Sequence, residues 1–375
     1  MSIKAVDVKS YDYLIQILKK NPDINYIANA VTPWHAIGVD SAIALLKEKN
    51  PFIKGLSLVR AHSKTGFCCD EEIFTNQSEF KFCIDLRNHG FNKIKLFFSF
   101  YGFLLKNIIK QKKDDFFIIG ATPDPILAIL ALKYLPNRHI KFLIIDDGVA
   151  KYMGTLVAAK PQKGFINQLK YFRVCLENHL ITNYTDLESL GLLKRAQNAW
   201  LKNETIVPYY RNTLKILSNK LKISNILPEK NFIICTTAWS REHITKDEDL
   251  EQLKLICSFL HSQGYNLMMK PHPRDSFFIQ HMDELYCTLL DADSTAMEVI
   301  CEKYHFQGII SFSSTILITA KVLFDIPTYC ISDMLDRTKI NEVYLNEIDS
   351  FKKTFQQTTH FVKSITDMKR LLERN

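Results

Sequence analysis

At 375 residues the chain exceeds what one hydrophobic core ordinarily organises, which points to two domains. Its 47% apolar and 23% charged residues, with 12 Gly and 12 Pro, exclude a disordered or collagen-like chain. A net charge of +8 favours anionic partners such as nucleotides, acidic sugars or phospholipid without choosing among them.

The opening "MSIKAVDVKSYDYLIQILKK" lacks the apolar core of a signal peptide. "INYIANAV" (24–31) reads as a buried strand, and Thr-Pro then leads into a helical pattern over 36–49. The segment 92–113 carries six lysines and five aromatics. Ile94, Phe97, Phe98, Tyr101, Leu105 and Ile108 make one helical face, expected in the core. Phe100 and Phe103 fall outside it and are expected to reach an anionic membrane surface. Its most apolar run, 96–105, is too short to span a bilayer.

"DFFIIGA" (115–121) and "IKFLIID" (140–146) read as strands, with a helix over 126–135 between them. The polar stretch 203–230 ends near Pro228 and reads as the domain boundary, giving domains 1–222 and 223–375. The alternation restarts at "FIICTTA" (232–238). Thr245 and Glu248 have capping-box spacing before a helix that Gly264 stops. Strands are expected over 265–270, 306–312 and 325–331, with helices after the second of these and at 364–374. Short apolar strands alternating with helices imply parallel sheets covered on both faces.

Nine cysteines, odd in number and without a C-x-x-C pair, argue against a disulfide framework and a zinc site and suggest a reducing cytosol. No G-x-G-x-x-G or Walker loop is present. The fold class expected is α/β, with two facing Rossmann-like domains and a cleft between them, since open α/β sheets bind ligands beyond the carboxyl ends of their strands.

Three constellations fall at expected strand ends. Asp146-Asp147-Gly148 closes the strand 140–146. A carboxylate there can take a proton from an incoming hydroxyl, and its like-charged neighbour raises the first pKa of the pair; an Asx-type turn explains it equally. Lys270-Pro271-His272-Pro273-Arg274 holds an imidazole between two prolines and two cations, suited to a phosphate, or forms a plain surface turn. Ser313-Ser314-Thr315 opens a helix, where unpaired N–H groups and the dipole favour a phosphate, or where one serine merely caps. Glu298 is either a ribose ligand or a solvated helix charge, and His35 is a candidate on the acceptor side.

In that order, D-D-G, H-P and S-S resemble the bacterial sialyltransferases of the GT-B fold. The lipooligosaccharide sialyltransferase family comes first in likeness and the bacterial polysialyltransferases next. The resemblance implies an inverting, metal-independent transfer of sialic acid from CMP-sialic acid to a glycan or glycolipid hydroxyl. No cofactor and no nucleic-acid partner is implied. Asp146 maps onto the base and His272 onto the acid or phosphate partner. Lys270, Pro273, Ser313, Ser314 and Thr315 fall on the donor side, Glu298 on the ribose, and His35, Asp147 and Gly148 on the acceptor side. In some relatives the base comes from the second domain, which makes an acid in 242–249 (Glu242, Asp247, Glu248 or Asp249) the alternative to Asp146. The expected place is the cytoplasm, at the inner face of the membrane. Competing readings are a CMP-Kdo or CDP-glycerol transferase and a catalytically inactive nucleotide-binding relative.

Overall fold

A computed structural model describes residues 8–60, 73–75, 78–86, 93–109, 114–135, 138–145, 148, 168–169, 172–173, 176, 180–182, 206–221, 230–237, 246–272, 277–290, 292 and 295–374. Asp146, Asp147, Pro273 and Glu242 lie outside them. The chain divides into two compact units, 1–213 and 214–375.

Unit 1 holds β1 (Val8–Lys9), β2 (Tyr26–Ala30), β3 (Gly55–Arg60), β4 (Phe80–Ile84), β5 (Asp115–Gly120), β6 (His139–Ile144) and β7 (Ile181–Thr182). They form one parallel sheet in the order β1-β4-β3-β2-β5-β6-β7. Unit 2 holds β8 (Asn231–Cys235), β9 (Asn266–Lys270), β10 (Cys287–Leu289), β11 (Gly308–Ser311), β12 (Thr328–Cys330) and β13 (His360–Phe361), also all parallel, in the order β10-β9-β8-β11-β12-β13. Leaving β1 aside, each sheet starts centrally, winds out to one edge and then to the other. This is the doubly wound 3-2-1-4-5-6 order, and each unit is Rossmann-like. The expected α/β class with two Rossmann-like units is therefore what the chain adopts.

Unbroken apolar sequence is what a strand covered on both faces requires, and β2, β8 and β11 are buried at every position. In unit 2 the sheet closes up around Gly308, where a Cβ would stand 2.4 Å from Phe232 and 2.7 Å from Tyr329. No larger residue fits without moving those rings.

Unit 1 includes the helices α1 (Tyr11–Lys20), α2 (Pro33–Lys49), α3 (Lys93–Ile109) and α4 (Pro125–Tyr134), and α5 (Val207–Lys220) crosses into unit 2. Unit 2 adds α6 (Lys246–Ser262), α7 (Met297–Lys303), α8 (Thr315–Phe324), α9 (Glu342–Phe355) and α10 (Ile365–Leu372).

Two expectations are corrected. Phe100 and Phe103 are core residues at 0% and 2% exposure, stacked on each other and edge-on to Phe142, while Phe98 is 65% exposed. α3 is apolar nearly all round, so periodicity finds the helix but not the phase of its buried face. Asn107 sets that phase: its amide donates to Ile140 O at 2.9 Å and accepts from Ile140 N at 3.2 Å, which turns Phe100, Phe103 and Leu104 inward. The segment 203–230 contains α5, and the division between the two units falls inside it. Tyr210, Leu214 and Leu217 of α5 are buried, and Trp34 of α2 packs on Tyr210 with ring centroids 5.3 Å apart.

Candidate functional site

The carboxyl edge of the sheet in unit 2 gathers two of the sequence motifs from strands far apart in the chain. Register aligns Lys270 of β9 with Cys235 of β8, and Ile310 of β11 with Ile234 of β8. Ser311 therefore continues beside Cys235, in line with Cys330 of β12. Strands lie about 4.8 Å apart, so Lys270 and Ser311 stand roughly 10 Å from each other along one row. Beyond it run Pro271-His272, Thr236-Thr237 and Phe312-Ser313-Ser314. The Thr236 hydroxyl accepts from His272 N–H at 2.8 Å and so ties the H-P turn to the end of β8. The winding reverses between β8 and β11, the place where an open α/β sheet receives a ligand.

The serine run divides its tasks. Ser313 is buried at 2% exposure. It lies beside Tyr344, whose hydroxyl burial makes a poorer acid, with the charge of Asp249 adding to the effect. Ser314 is part-exposed at the N-cap of α8, in extended backbone (φ −153°, ψ 150°), and its side chain makes no capping bond. A serine in that position usually bonds the N–H two or three residues on. Here the hydroxyl makes no such bond, at a helix end whose dipole favours an anion. Thr315 follows, also part-exposed.

Glu298 sits in the first turn of α7 and is 6% exposed, so it is not a solvated helix charge. Its carboxylate accepts from the Thr319 hydroxyl of α8 at 2.8 Å. Burial raises its pKa, and the Thr319 hydrogen bond and the charge of Lys270 offset only part of that rise. The carboxyl group and the Lys270 ammonium thus act on each other behind the serine helix. Burial pushes the Cys235 thiol, in the same row, up to about 12, which removes it as a nucleophile.

Of the acids in 242–249, Glu248 and Asp249 are buried in the first turn of α6. Glu248 accepts from Lys339 Nζ at 2.7 Å and Asp336 N at 3.2 Å, which holds its carboxyl below the usual range. Thr245 lies outside the described residues, and these bonds give Glu248 a structural task.

In unit 1 the equivalent reversal falls between β2 and β5. β2 leads into Thr32-Pro33-Trp34-His35, where Thr32 caps α2 by accepting from His35 N at 3.2 Å. His35 is 9% exposed. β6 ends at Ile144; the N–H of the next residue, Ile145, donates to Gly120 O at 3.0 Å, and Asp146 follows in the chain. Gly148 takes φ 83°, the left-handed region that a side chain would strain.

Sequence reasoning missed Asp124, Arg60, Asn29 and Thr236. Asp124 caps α4, its Oδ1 accepting from Ile126 N and Leu127 N at 2.9 and 3.1 Å. Its Oδ2 accepts from Asn29 Nδ2 and from the Arg60 guanidinium, both at 3.1 Å. The signal was available: Asp immediately before a proline and an apolar run is an N-cap signature. Among the described residues no group of three or more His, Cys, Asp or Glu side chains is arranged to hold a metal ion. No helix among them is long and apolar enough to cross a membrane.

A family model described as alpha-2,8-polysialyltransferase matches residues 28–332. No curated protein matches the chain. Among solved structures, the UDP-GlcNAc 2-epimerase of Methanocaldococcus jannaschii is similar at 15% identity and TM-score 0.48, over 93% of this chain and 99% of that one. The wall teichoic acid polymerase TagF is similar at 10% identity and TM-score 0.44, over 96% and 92%. An alpha/beta-galactoside alpha-2,3-sialyltransferase from the luminous marine bacterium Photobacterium phosphoreum gives 15% and 0.44, over 92% and 98%.

Proposed function

Since the chain belongs to the alpha-2,8-polysialyltransferase family, we propose that this sialyltransferase moves sialic acid from CMP-sialic acid to a glycan hydroxyl, with inversion and without a metal ion. The acceptor oxygen attacks the anomeric carbon, and the bond from that carbon to the phosphate oxygen breaks with its electrons leaving on CMP. Asp146 takes the proton of the hydroxyl. His272 donates to the departing phosphate, where negative charge builds and fixed donors lower the barrier. Lys270, Ser314, Thr315 and the N–H groups opening α8 face the same charge, and Glu298 takes the ribose.

The observation that carries this reading is the uncapped start of α8. A helix end with an unused N-cap hydroxyl stands one strand from the β8 exit to which His272 is tied. That supports a phosphate site with an imidazole on the same sheet edge. The family match supports sialic acid over Kdo or glycerol as the transferred group, and places the chain with the polysialyltransferases, the family that ranked second on motifs. Location at the inner face of the membrane is part of the proposal. Among the described side chains of α3, Phe98 and Leu105 are exposed apolar groups, and Lys95 and Lys106 lie near them in sequence. Co-sedimentation with anionic vesicles checks it.

The test is release of CMP from CMP-sialic acid, with CMP-Kdo and CDP-glycerol as competing donors. Release from CMP-sialic acid alone, insensitive to chelator, is expected. His272→Ala should lower turnover by about 100-fold, the scale of a general acid, with the melting temperature unchanged. Turnover of a competing donor instead, or protection by CMP with no turnover at all, would sink the reading.

A further inference from the structure

We infer that Thr236 is the positioning residue of the H-P turn: its side chain supplies the last rung of the β8–β9 ladder and so fixes where His272 carries its imidazole. This rests on the proposed role of His272 and adds a residue that acts through it rather than on the donor.

The sequence shows why an anchor is needed. Pro271 and Pro273 have no backbone N–H, so His272 holds the one main-chain donor of residues 271–273. Standing before a proline also confines His272 to extended backbone. A part-buried N–H left without an acceptor is costly, and His272 is part-buried.

The ladder says what the acceptor ordinarily is. In a parallel pair every second residue of one strand bonds the other strand through both its N–H and its C=O. On β9 that series begins at Asn266, whose N–H donates to Lys230 O at 3.0 Å, and it reaches Lys270, whose C=O accepts from Thr236 N at 3.4 Å. The next rung in step is His272 N–H to the carbonyl of Thr236. Here the Thr236 hydroxyl takes that bond instead, at 2.8 Å. Thr236 thus grips the peptide groups on both sides of Pro271, one with its N–H and one with its side chain. The exchange has a consequence. Any residue type offers a carbonyl, so an ordinary rung survives substitution, whereas a hydroxyl rung depends on which side chain stands at 236. Thr236 is only 5% exposed, so solvent is a poor replacement for it. With its backbone held there and constrained by the following proline, His272 keeps its side-chain torsions as its remaining freedom.

Thr236→Val keeps the branched shape and deletes the acceptor. Hydrogen exchange of the His272 amide, followed by NMR in the full chain with no donor present, should quicken by about 10-fold or more, the worth of one hydrogen bond. In CMP release from CMP-sialic acid, kcat should fall by about 10-fold or more while KM for the donor stays within about 2-fold, because a displaced acid is missed in the transition state and not in the ground state. Thr236→Ser keeps a hydroxyl and should recover most of both effects. Added to His272→Ala, Thr236→Val should cost less than about 2-fold more, since its effect passes through the imidazole. Equal losses of kcat with and without His272 would make Thr236 a structural residue only and overturn the inference. So would wild-type kcat in Thr236→Val, or unchanged exchange at the His272 amide, with the variant folded by circular dichroism. A wild-type chain that never consumes CMP-sialic acid, while Thr236→Val still frees the amide, would instead overturn the transferase reading and leave the anchoring of His272 in place.

Discussion

The helices α4 and α8 hold the same topological post. Each follows the strand that flanks the first central strand on its return side, β5 beside β2 and β11 beside β8. Their N-termini are treated in opposite ways. Asp124 fills the start of α4 with its own carboxylate and two backbone bonds. Ser314 stands at the start of α8 and makes no side-chain bond to it. One fold thus offers two electrostatic sites. The first is already neutralised by a fixed anion and can serve an organic substrate. The second keeps its positive end uncovered by a side chain, which is where the proposed function seats the phosphate.

The comparison can be broken at either end. Asp124→Ala is expected to cause the largest loss. It removes a cap worth about 1 kcal/mol and strips the buried Asn29 amide and Arg60 of their partner, for roughly 2 kcal/mol more. A fall of about 3 kcal/mol in a urea titration is the expected result. A loss below about 1 kcal/mol would mean the carboxylate is only a cap. Next, Ser314→Asp copies the arrangement of α4 into α8. CMP affinity should fall by about 100-fold, since a fixed carboxylate then faces the phosphate, while the melting temperature holds or rises. Unchanged CMP affinity would move the phosphate elsewhere. Ser314→Ala, which only deletes one hydroxyl, should weaken CMP by less than 10-fold, the worth of about one neutral hydrogen bond.

Much of this was legible in the chain. Strands buried on both faces are written as unbroken apolar runs, and 115–121, 140–146 and 232–238 could be read for that reason. β3 and β4 were harder, because "GLSLVR" and "FKFCI" mix polar with apolar residues over five or six positions, where strand and loop look alike. Without them the 3-2-1-4-5-6 order cannot be assembled, nor Arg60 placed on a sheet edge. The phase of α3 was unreadable for a different reason. The choice between Phe98 and Phe100 is made by Asn107 reaching the backbone of Ile140, a contact across 33 residues. In the candidate site, motif order brought Lys270, His272 and Ser314 forward, but the sequence does not say that Ser313 is buried against Tyr344 while Ser314 is part-exposed. Asn29 could not have been found at all: an asparagine in an apolar strand gains meaning only when Asp124, 95 residues on, claims its nitrogen.

The smallest expected effect concerns Glu298. Burial raises its pKa against the opposing pull of Thr319 and Lys270. The folded chain therefore holds a proton at pH values where the unfolded chain has released it. Stability from this group is complete below the ordinary carboxylate range and declines as pH rises through the folded value. Glu298→Gln imitates the protonated form, keeps an acceptor for the Thr319 hydroxyl and cannot ionise. Its unfolding free energy should match the wild type in acid and exceed it at neutral pH, by on the order of 1 kcal/mol, a typical single-substitution effect. If the variant instead melts below the wild type at neutral pH while the two still coincide in acid, Glu298 is stabilised as a carboxylate and Lys270 outweighs burial. The nucleotide supplies a second reading of the same variant: an amide still accepts from a ribose hydroxyl, so CMP affinity should fall only modestly, and a collapse of binding would mean that the charge itself is what CMP needs.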